Sequence, residues 1–152
     1  MDIKIPRDLP QFDEKRALII VSGGLEARVF LGDKGSLLEI SHLRAPEIHY
    51  TDKENRFAKR VKGQTLGMGS VMKPVHRKEE AEFLKTFKKE ILKTIKKNNP
   101  DNIFVFVPRY PAAAIIGSLP KPFDKKAKVI SYGNYLDKHP KEILSLIKGQ
   151  RP

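Results

Sequence analysis

The chain has 152 residues, a formal net charge of +12 and no cysteine. This length suits one domain that folds around an ordinary hydrophobic core, and the lack of cysteine excludes a disulfide scaffold and thiolate metal sites. The excess of positive charge predicts attraction to polyanions, with RNA first and DNA or an acidic membrane surface after it.

The N-terminal residues 1–16 contain acids and two prolines but no apolar run. They therefore match neither a secretory signal peptide nor a membrane anchor. We expect a loosely held N-terminal arm here, and we expect a cytoplasmic protein that does not insert into a membrane.

Short apolar segments separated by glycine-bearing turns predict three strands after this arm. Residues 17–22 are apolar and rich in β-branched side chains, which is typical of a buried strand. Gly23 and Gly24 predict a turn before a second strand at 27–31, and a further turn precedes a third strand at 36–43, where apolar and polar residues alternate. Consecutive strands joined by tight turns form an antiparallel meander.

A basic segment that contains glycine follows at 53–78, with a net charge of +7. Against one acid, Glu54, its eight basic residues are Lys53, Arg56, Lys59, Arg60, Lys62, Lys73, Arg77 and Lys78. Three glycines occur within 63–69, and glycine allows a backbone to adopt positive φ and to approach another molecule closely. We therefore predict a long mobile loop with a concentrated positive field.

Residues 79–97 carry the clearest helical pattern in the chain. Apolar residues recur at spacings of three and four, lysines fill the opposite face, and acids begin the segment while lysines end it. The apolar set is Phe83, Leu84, Phe87, Ile91, Leu92 and Ile95. Residues 98–101, two asparagines followed by proline and aspartate, predict the end of this helix.

The second half of the chain alternates between strands and helices. We predict a central strand at 103–107, a short helix at 112–119, a further strand at 127–131 and a closing helix at 139–148. Residues 149–152 remain as a C-terminal tail.

The resulting order, β-β-β-α-β-α-β-α, predicts the fold class. A strand meander followed by alternating helices and strands implies an α/β domain with a mixed sheet, parallel crossovers in its second half and helices covering the sheet. This is the element order of the ribonuclease H-like class. It predicts a single domain over 17–148 that carries the basic loop at 53–78.

Most enzymatic chemistries lack the residues that they need. A ribonuclease H-type nuclease holds two metal ions in a carboxylate cluster on its strands, yet residues 17–22 contain no acid, and Glu26, Glu39 and Glu79 do not replace that set. The four histidines show no ligand spacing; they are His42, His49, His76 and His139. No phosphate-binding loop or nucleophile elbow is present. We predict neither a metal site nor a cofactor.

Arg109 and Tyr110 leave two interpretations open. Arg109 follows the carboxyl end of the central strand, where open α/β sheets tend to bind ligands, but it also fits a solvated arginine in a turn bounded by prolines. Tyr110 could stack on a nucleic-acid base, although an aromatic residue at a strand end is more often part of the core.

Four segments together resemble the bacterial family of host-attachment proteins. They are residues 17–31, 78–97, 105–121 and 137–147, of which the run VFVPRYPAAAIIGSLPK at 105–121 is the most specific. The chain departs from that family's Asp-Leu-Thr-His-like closing motif, because it has Asp137-Lys138-His139-Pro140 at this place. The family in turn resembles the middle domain of the class I release factors of archaea and eukaryotes.

The resemblance to release factors implies a role for the basic loop. In those proteins a Gly-Gly-Gln tip enters the peptidyl transferase centre and helps water to attack the peptidyl-tRNA ester. Gly63 and Gln64 match the last two residues of that tip, and Lys62 replaces its first glycine. The resemblance thus implies Gly63 and Gln64 as candidate catalytic residues of a peptidyl-tRNA hydrolase-like activity, with a plain flexible loop as the alternative.

The predicted function is that of a translation-associated protein whose basic loop contacts RNA. Its expected partners are the ribosome, rRNA or tRNA. The candidate RNA-binding residues are Arg56, Lys59, Arg60, Lys62, Lys73, Arg77 and Arg109. The alternative is a non-enzymatic protein that affects attachment to a host or a surface indirectly, through protein partners.

Overall fold

The structure, a computed structural model, describes residues 2–45 and 68–150, and it describes side chains for residues 2–45 and 78–149. Within these ranges the chain forms six strands and four helices. The strands are β1 (Asp2–Lys4), β2 (Ala17–Ser22), β3 (Glu26–Asp33), β4 (Ser36–Arg44), β5 (Asn102–Val107) and β6 (Ala127–Tyr132). The helices are α1 (Met68–Asn98), α2 (Arg109–Gly117), α3 (Phe123–Lys126) and α4 (Pro140–Gln150).

The six strands form one mixed sheet in the order β1-β4-β3-β2-β5-β6. β2, β3 and β4 are antiparallel neighbours, as the predicted meander requires, and β1 adds a further antiparallel pair at the edge. β5 lies parallel to β2 on its other side, and β6 lies parallel to β5. The predicted α/β class, with a mixed sheet and a parallel second half, is therefore confirmed.

Helices cover both faces of the sheet because their apolar residues recur at helical spacing. Phe83 and Phe87 of α1 share one core with Leu18 of β2. Helix α2 also contributes side chains to this core. On the opposite face, Leu144 of α4 shares a second core with Ile19 of β2. Phe87 is fully buried, so its truncation to alanine is expected to cost about 3–5 kcal/mol of stability.

The N-terminal residues are part of the fold, so the predicted loosely held arm over 1–16 is wrong. β1 pairs with β4, and Ile5 and Phe12 are buried in the core beneath α4. Phe12 adopts φ 54, and its ring covers Gly32, where a side chain would overlap it. A three-residue strand followed by a single aromatic anchor leaves too short an apolar pattern for periodicity to detect.

Helix α1 begins at Met68 rather than at residue 79, so the predicted loop at 53–78 is wrong over its last eleven residues, 68–78. Gly69 is one of the three glycines that predicted the loop, since glycine weakens a helix interior, yet it lies within the first turn of α1. At 1.5 Å per residue, the 31-residue helix is about 46 Å long.

Smaller differences concern the second half of the chain. The predicted helix at 112–119 lies at Arg109–Gly117, and α3 is an additional short helix before β6. Helix α4 ends at Gln150, so the predicted tail at 149–152 begins with helical residues. In the described part of the chain, no helix is both long and apolar enough to cross a membrane.

Candidate nucleic-acid interface

Most of the predicted loop residues lie outside the part of the chain that the structure describes. These are the candidate catalytic residues Gly63 and Gln64 and the candidate RNA-binding residues Arg56, Lys59, Arg60 and Lys62. The backbones of Lys73 and Arg77 belong to helix α1, whereas their side chains are outside the described residues. Arg109 is the one predicted RNA-binding residue whose side chain is described.

Arg109 is the first residue of α2 and follows directly after the carboxyl end of β5. Its guanidinium lies 4.6 Å from the ring centroid of Tyr132, the last residue of the neighbouring strand β6. The backbone N–H of Gly133 donates to the carbonyl of Val107 over 3.1 Å, which joins these two strand ends. Arg109 is therefore an exposed cation whose guanidinium is positioned by a cation–π contact.

Tyr110 lies at the surface, so its interpretation as a core residue is wrong. Its side chain is 75% exposed, because α2 begins here and buries Ala112 and Ile115 instead. The Tyr110 hydroxyl donates to Oε1 of Glu80 on α1 over 3.4 Å. This contact links the start of α2 to the part of α1 that precedes its packed face.

A cavity of about 430 Å³ lies beside this contact, at the carboxyl ends of β2 and β5. The described residues that line it are mostly small or apolar: Gly24, Glu80, Ala81, Leu84, Tyr110, Pro111, Ala113, Ala114 and Ile115. From β2 the chain continues to β3 on one side, and from β5 it continues to β6 on the other. Such a switch point in an open sheet leaves a crevice between adjacent strand ends, where ligands commonly bind.

The solvent face of α1 carries the densest positive charge among the described side chains. Six exposed lysines, which we call the lysine face, occupy the last half of the helix: Lys85, Lys88, Lys89, Lys93, Lys96 and Lys97. The one acid between them is Glu90, whose carboxylate accepts a hydrogen bond from Ser41 of β4 over 3.0 Å. Glu90 thus contacts the sheet rather than the row of lysines.

The lysine face has a spacing that brings like charges together. Lys85, Lys89, Lys93 and Lys97 follow one another at intervals of four, so each is the helix-surface neighbour of the next. Within the described residues, no carboxylate lies within ion-pairing distance of any of the six lysines. Like charges at this spacing destabilise a helix by about 0.2–0.5 kcal/mol per pair. The arrangement therefore costs stability in the free protein.

Charge on β3 and β4 is arranged in the opposite way. Arg28 donates two hydrogen bonds to the Glu39 carboxylate, at 2.9 and 3.1 Å, and a third to the carbonyl of Leu136 at 3.2 Å. The hydrogen bond from Arg28 is the main cause that lowers the pKa of Glu39, against the opposing effect of burial. Arg28 and Glu39 therefore balance each other's charge.

Glu26 forms further ion pairs beside this pair, near the end of β4. Its Oε2 lies 2.6 Å from Nε2 of His42 and 3.3 Å from Nε of Arg44. Burial raises the pKa of Glu26, but the hydrogen bonds from His42 and Arg44 outweigh it, so the net pKa lies below its ordinary value. We use the name ion-pair cluster for Glu26, Arg28, Glu39, His42 and Arg44.

Two histidines have structural roles in the described part of the chain. His42 pairs with Glu26, and Nδ1 of His139 accepts a hydrogen bond from the backbone N–H of Lys141 over 3.1 Å at the start of α4. Among the described residues, no three histidine, aspartate or glutamate side chains come together as metal ligands.

Two parts of this surface were missed from the sequence. From the sequence, the lysine face was interpreted only as the solvated side of a helix. Its repeat of lysines every four residues was nevertheless a visible signal, because charge repulsion disfavours such a row. Tyr132 carried no signal, since its contact with Arg109 depends on the pairing of β5 with β6.

Comparison of the chain with protein-family models finds no match, and a search of curated protein sequences also finds none.

Proposed function

We propose that the protein binds structured RNA of the translation apparatus, on the ribosome or as tRNA, through the lysine face of α1. The observation that carries this proposal is the row of six exposed lysines without a carboxylate partner in the described part of the chain. A row of phosphates supplies the missing negative charge. Binding then relieves the repulsion that the free helix bears and releases counterions from the nucleic acid.

The lysine face is suited to contacts with phosphates rather than with bases. Lysine is a compact point charge on a flexible stem, and contacts of this type fix the position of a protein on a nucleic acid without reading its sequence. Along the helix axis, Lys85 and Lys97 are about 18 Å apart, so the face is long enough for several phosphates.

The fold and the resemblance support the same proposal. We propose a ribonuclease H-like, release-factor middle-domain-like arrangement, supported by three antiparallel strands, β2 to β4, followed by β5 and β6 parallel to β2. The resemblance to host-attachment proteins, and through them to release factors, stays part of the proposal. Hydrolysis of peptidyl-tRNA by Gly63 and Gln64 stays a prediction from the resemblance.

Co-sedimentation with ribosomes across a salt series tests this function. The wild-type protein is expected to pellet at low salt and to be released as salt rises. The triple variant Lys85→Glu, Lys89→Glu and Lys93→Glu is expected to lose pelleting. A control variant with the same change in net charge, Lys15→Glu, Lys34→Glu and Lys141→Glu, reverses exposed lysines outside α1 and is expected to retain it.

The outcomes separate the parts of the proposal. Pelleting that both triple variants lose equally would mean that net charge, rather than the lysine face, is responsible. Reversal of Arg60 and Lys62, which precede α1, tests the contribution of the predicted loop separately. A wild-type protein that neither pellets with ribosomes at low salt nor binds tRNA would contradict the proposal and favour attachment functions through protein partners.

A further inference from the structure

The crevice at the carboxyl ends of β2 and β5 differs in chemistry from the rest of this basic protein. Its described lining contains one charged residue, and that residue is an acid, Glu80. The surrounding side chains of Leu84, Pro111 and Ile115 are apolar. The cavity volume of about 430 Å³ lies in the range of small-molecule sites. A flat apolar group with hydrogen-bond donors on one edge matches this lining.

The Glu80 carboxylate lines the crevice between Tyr110 and Gly24. The Tyr110 hydroxyl donates to its Oε1 over 3.4 Å, and Gly24 faces its Oε2. A Cβ at Gly24 would lie 3.0 Å from that oxygen, so glycine leaves the room that the carboxylate occupies. Each carboxylate oxygen has two lone pairs, so the group retains acceptor capacity for a ligand.

We propose that this crevice binds a guanine base, which stacks against Tyr110 and donates hydrogen bonds to Glu80. The inference rests on the proposed RNA-binding function and names the base that the RNA would place here. Base-to-tyrosine stacking is a standard element of single-strand recognition, and the ring of Tyr110 is 75% exposed. Arg109 next to it is an exposed cation that can face the attached phosphate.

The choice of guanine follows from the donor pattern of the bases. An ionised carboxylate only accepts hydrogen bonds. Guanine presents two adjacent donors, N1–H and the N2 amino group, on its Watson–Crick edge. On the same edge adenine and cytosine place an acceptor nitrogen beside their amino group, and uracil places carbonyl oxygens on both sides of its N3–H. A carboxylate therefore pairs fully with guanine and is repelled by part of every other base.

Equilibrium binding of mononucleotides, followed by two-dimensional NMR of the whole chain, tests this site directly. GMP is expected to bind at least about tenfold more tightly than AMP or IMP, since AMP lacks both donors and IMP lacks the N2 amino group. Shifts are expected for the backbone signals of Gly24, Ala81 and Ala113. Equal binding of GMP, IMP and AMP would overturn the proposal.

Two variants and a control assign the preference to the named side chains. Glu80→Gln is expected to remove the preference for GMP over IMP, and Tyr110→Ala is expected to weaken all three nucleotides. Glu82→Gln changes an exposed carboxylate in the same turn of α1 and is expected to behave as the wild type. An unchanged GMP preference in Glu80→Gln would overturn the proposal.

A single-stranded RNA of five nucleotides distinguishes the two sources of guanine. If the site binds RNA, a uridine pentamer with one central guanosine is expected to bind more tightly than both GMP and the all-uridine pentamer. If the site binds free nucleotides, GMP is expected to bind at least as tightly as the pentamer that contains guanosine. The lysine-face triple variant is expected to weaken RNA binding more than GMP binding. If the wild-type protein binds GMP but does not pellet with ribosomes, only the proposed RNA function is contradicted. If it pellets with ribosomes but does not bind GMP, only the guanine site is contradicted.

Discussion

The lysine face of α1 and the ion-pair cluster of β3 and β4 are both rich in charge, but they arrange it in opposite ways. In the cluster, Arg28 and Glu39 neutralise each other at 2.9 Å on the surface of the sheet. On the helix, Lys85, Lys89 and Lys93 stand beside charges of their own sign. The paired charges neutralise each other within the fold, whereas the lysines of the row have no ion-pair partner among the described residues. The contrast distinguishes a surface that stabilises the fold from one that we propose binds RNA.

The largest expected effect is on a catalytic rate, and it concerns a residue outside both the lysine face and the ion-pair cluster. If the resemblance to release factors extends to activity, Gln64→Ala is expected to lower the rate of peptidyl-tRNA hydrolysis by about a hundredfold or more, because it removes a group that positions water or the oxyanion. Single-turnover hydrolysis and RNA binding are measured on the same preparation. Unchanged hydrolysis with Gln64→Ala, or no hydrolysis by the wild type, would contradict this prediction.

The ion-pair cluster should respond strongly to loss of its central cation. Arg28→Ala leaves the Glu39 carboxylate and the Leu136 carbonyl without their donor, and the Arg28 side chain is only 16% exposed. We expect a loss of about 2 kcal/mol in the free energy of unfolding, measured by urea denaturation. Arg44→Ala is the control, because its pair with Glu26 is exposed and should contribute at most about 0.5 kcal/mol. Equal losses in the two variants would refute the assignment.

The same cluster predicts a loss of stability in acid. The pKa values of Glu26 and Glu39 are lower in the folded protein than in the unfolded chain, so folding favours their charged forms. Their contribution is complete above the ordinary carboxyl pKa, near pH 4.5, and is lost as the pH falls through the lower folded values. Urea denaturation between about pH 6 and pH 3 should show a smaller pH dependence for Glu39→Gln than for the wild type. An identical slope would exclude this carboxylate as a source.

The smallest expected effect has the opposite sign and is specific to the lysine face. Lys89→Gln removes repulsion with Lys85 and Lys93 at little change in helix propensity, so it should raise the free energy of unfolding by about 0.5 kcal/mol. Because this gain is electrostatic, it should vanish near 1 M salt. Lys15→Gln, outside α1, is the control and should change nothing. A destabilising effect of Lys89→Gln at low salt would show that the lysines are compensated in the free protein.

Local sequence patterns predicted the elements whose signals are complete within a few residues. The bounds of β2 were predicted correctly because an apolar run ends at Gly23, and α4 was predicted because Ile143, Leu144 and Ile147 share one face. The start of α1 was missed because the three glycines within 63–69 and the surrounding basic residues predicted a loop, and β1 was missed because its pairing with β4 is a tertiary contact.

The site was less predictable than the fold for a related reason. Arg109 was found from its position after a strand, but the exposure of Tyr110 depends on where α2 begins, and the contact with Tyr132 depends on strand pairing. The crevice joins residues from β2, α1 and α2 that lie far apart in the chain. Only the position of Arg109 and the spacing of the lysines were readable from the sequence.

The salt dependence of tRNA binding tests the role of the lysine face most directly. The affinity for fluorescently labelled tRNA is measured between about 50 and 200 mM salt for the wild type and for the triple variant Lys85→Gln, Lys89→Gln and Lys93→Gln. If each lysine contacts a phosphate, the slope of log affinity against log salt should fall in magnitude by about 2–3 in the variant. The matched variant Lys15→Gln, Lys34→Gln and Lys141→Gln should keep the wild-type slope. Equal slopes for all three proteins would contradict the assignment of RNA binding to α1.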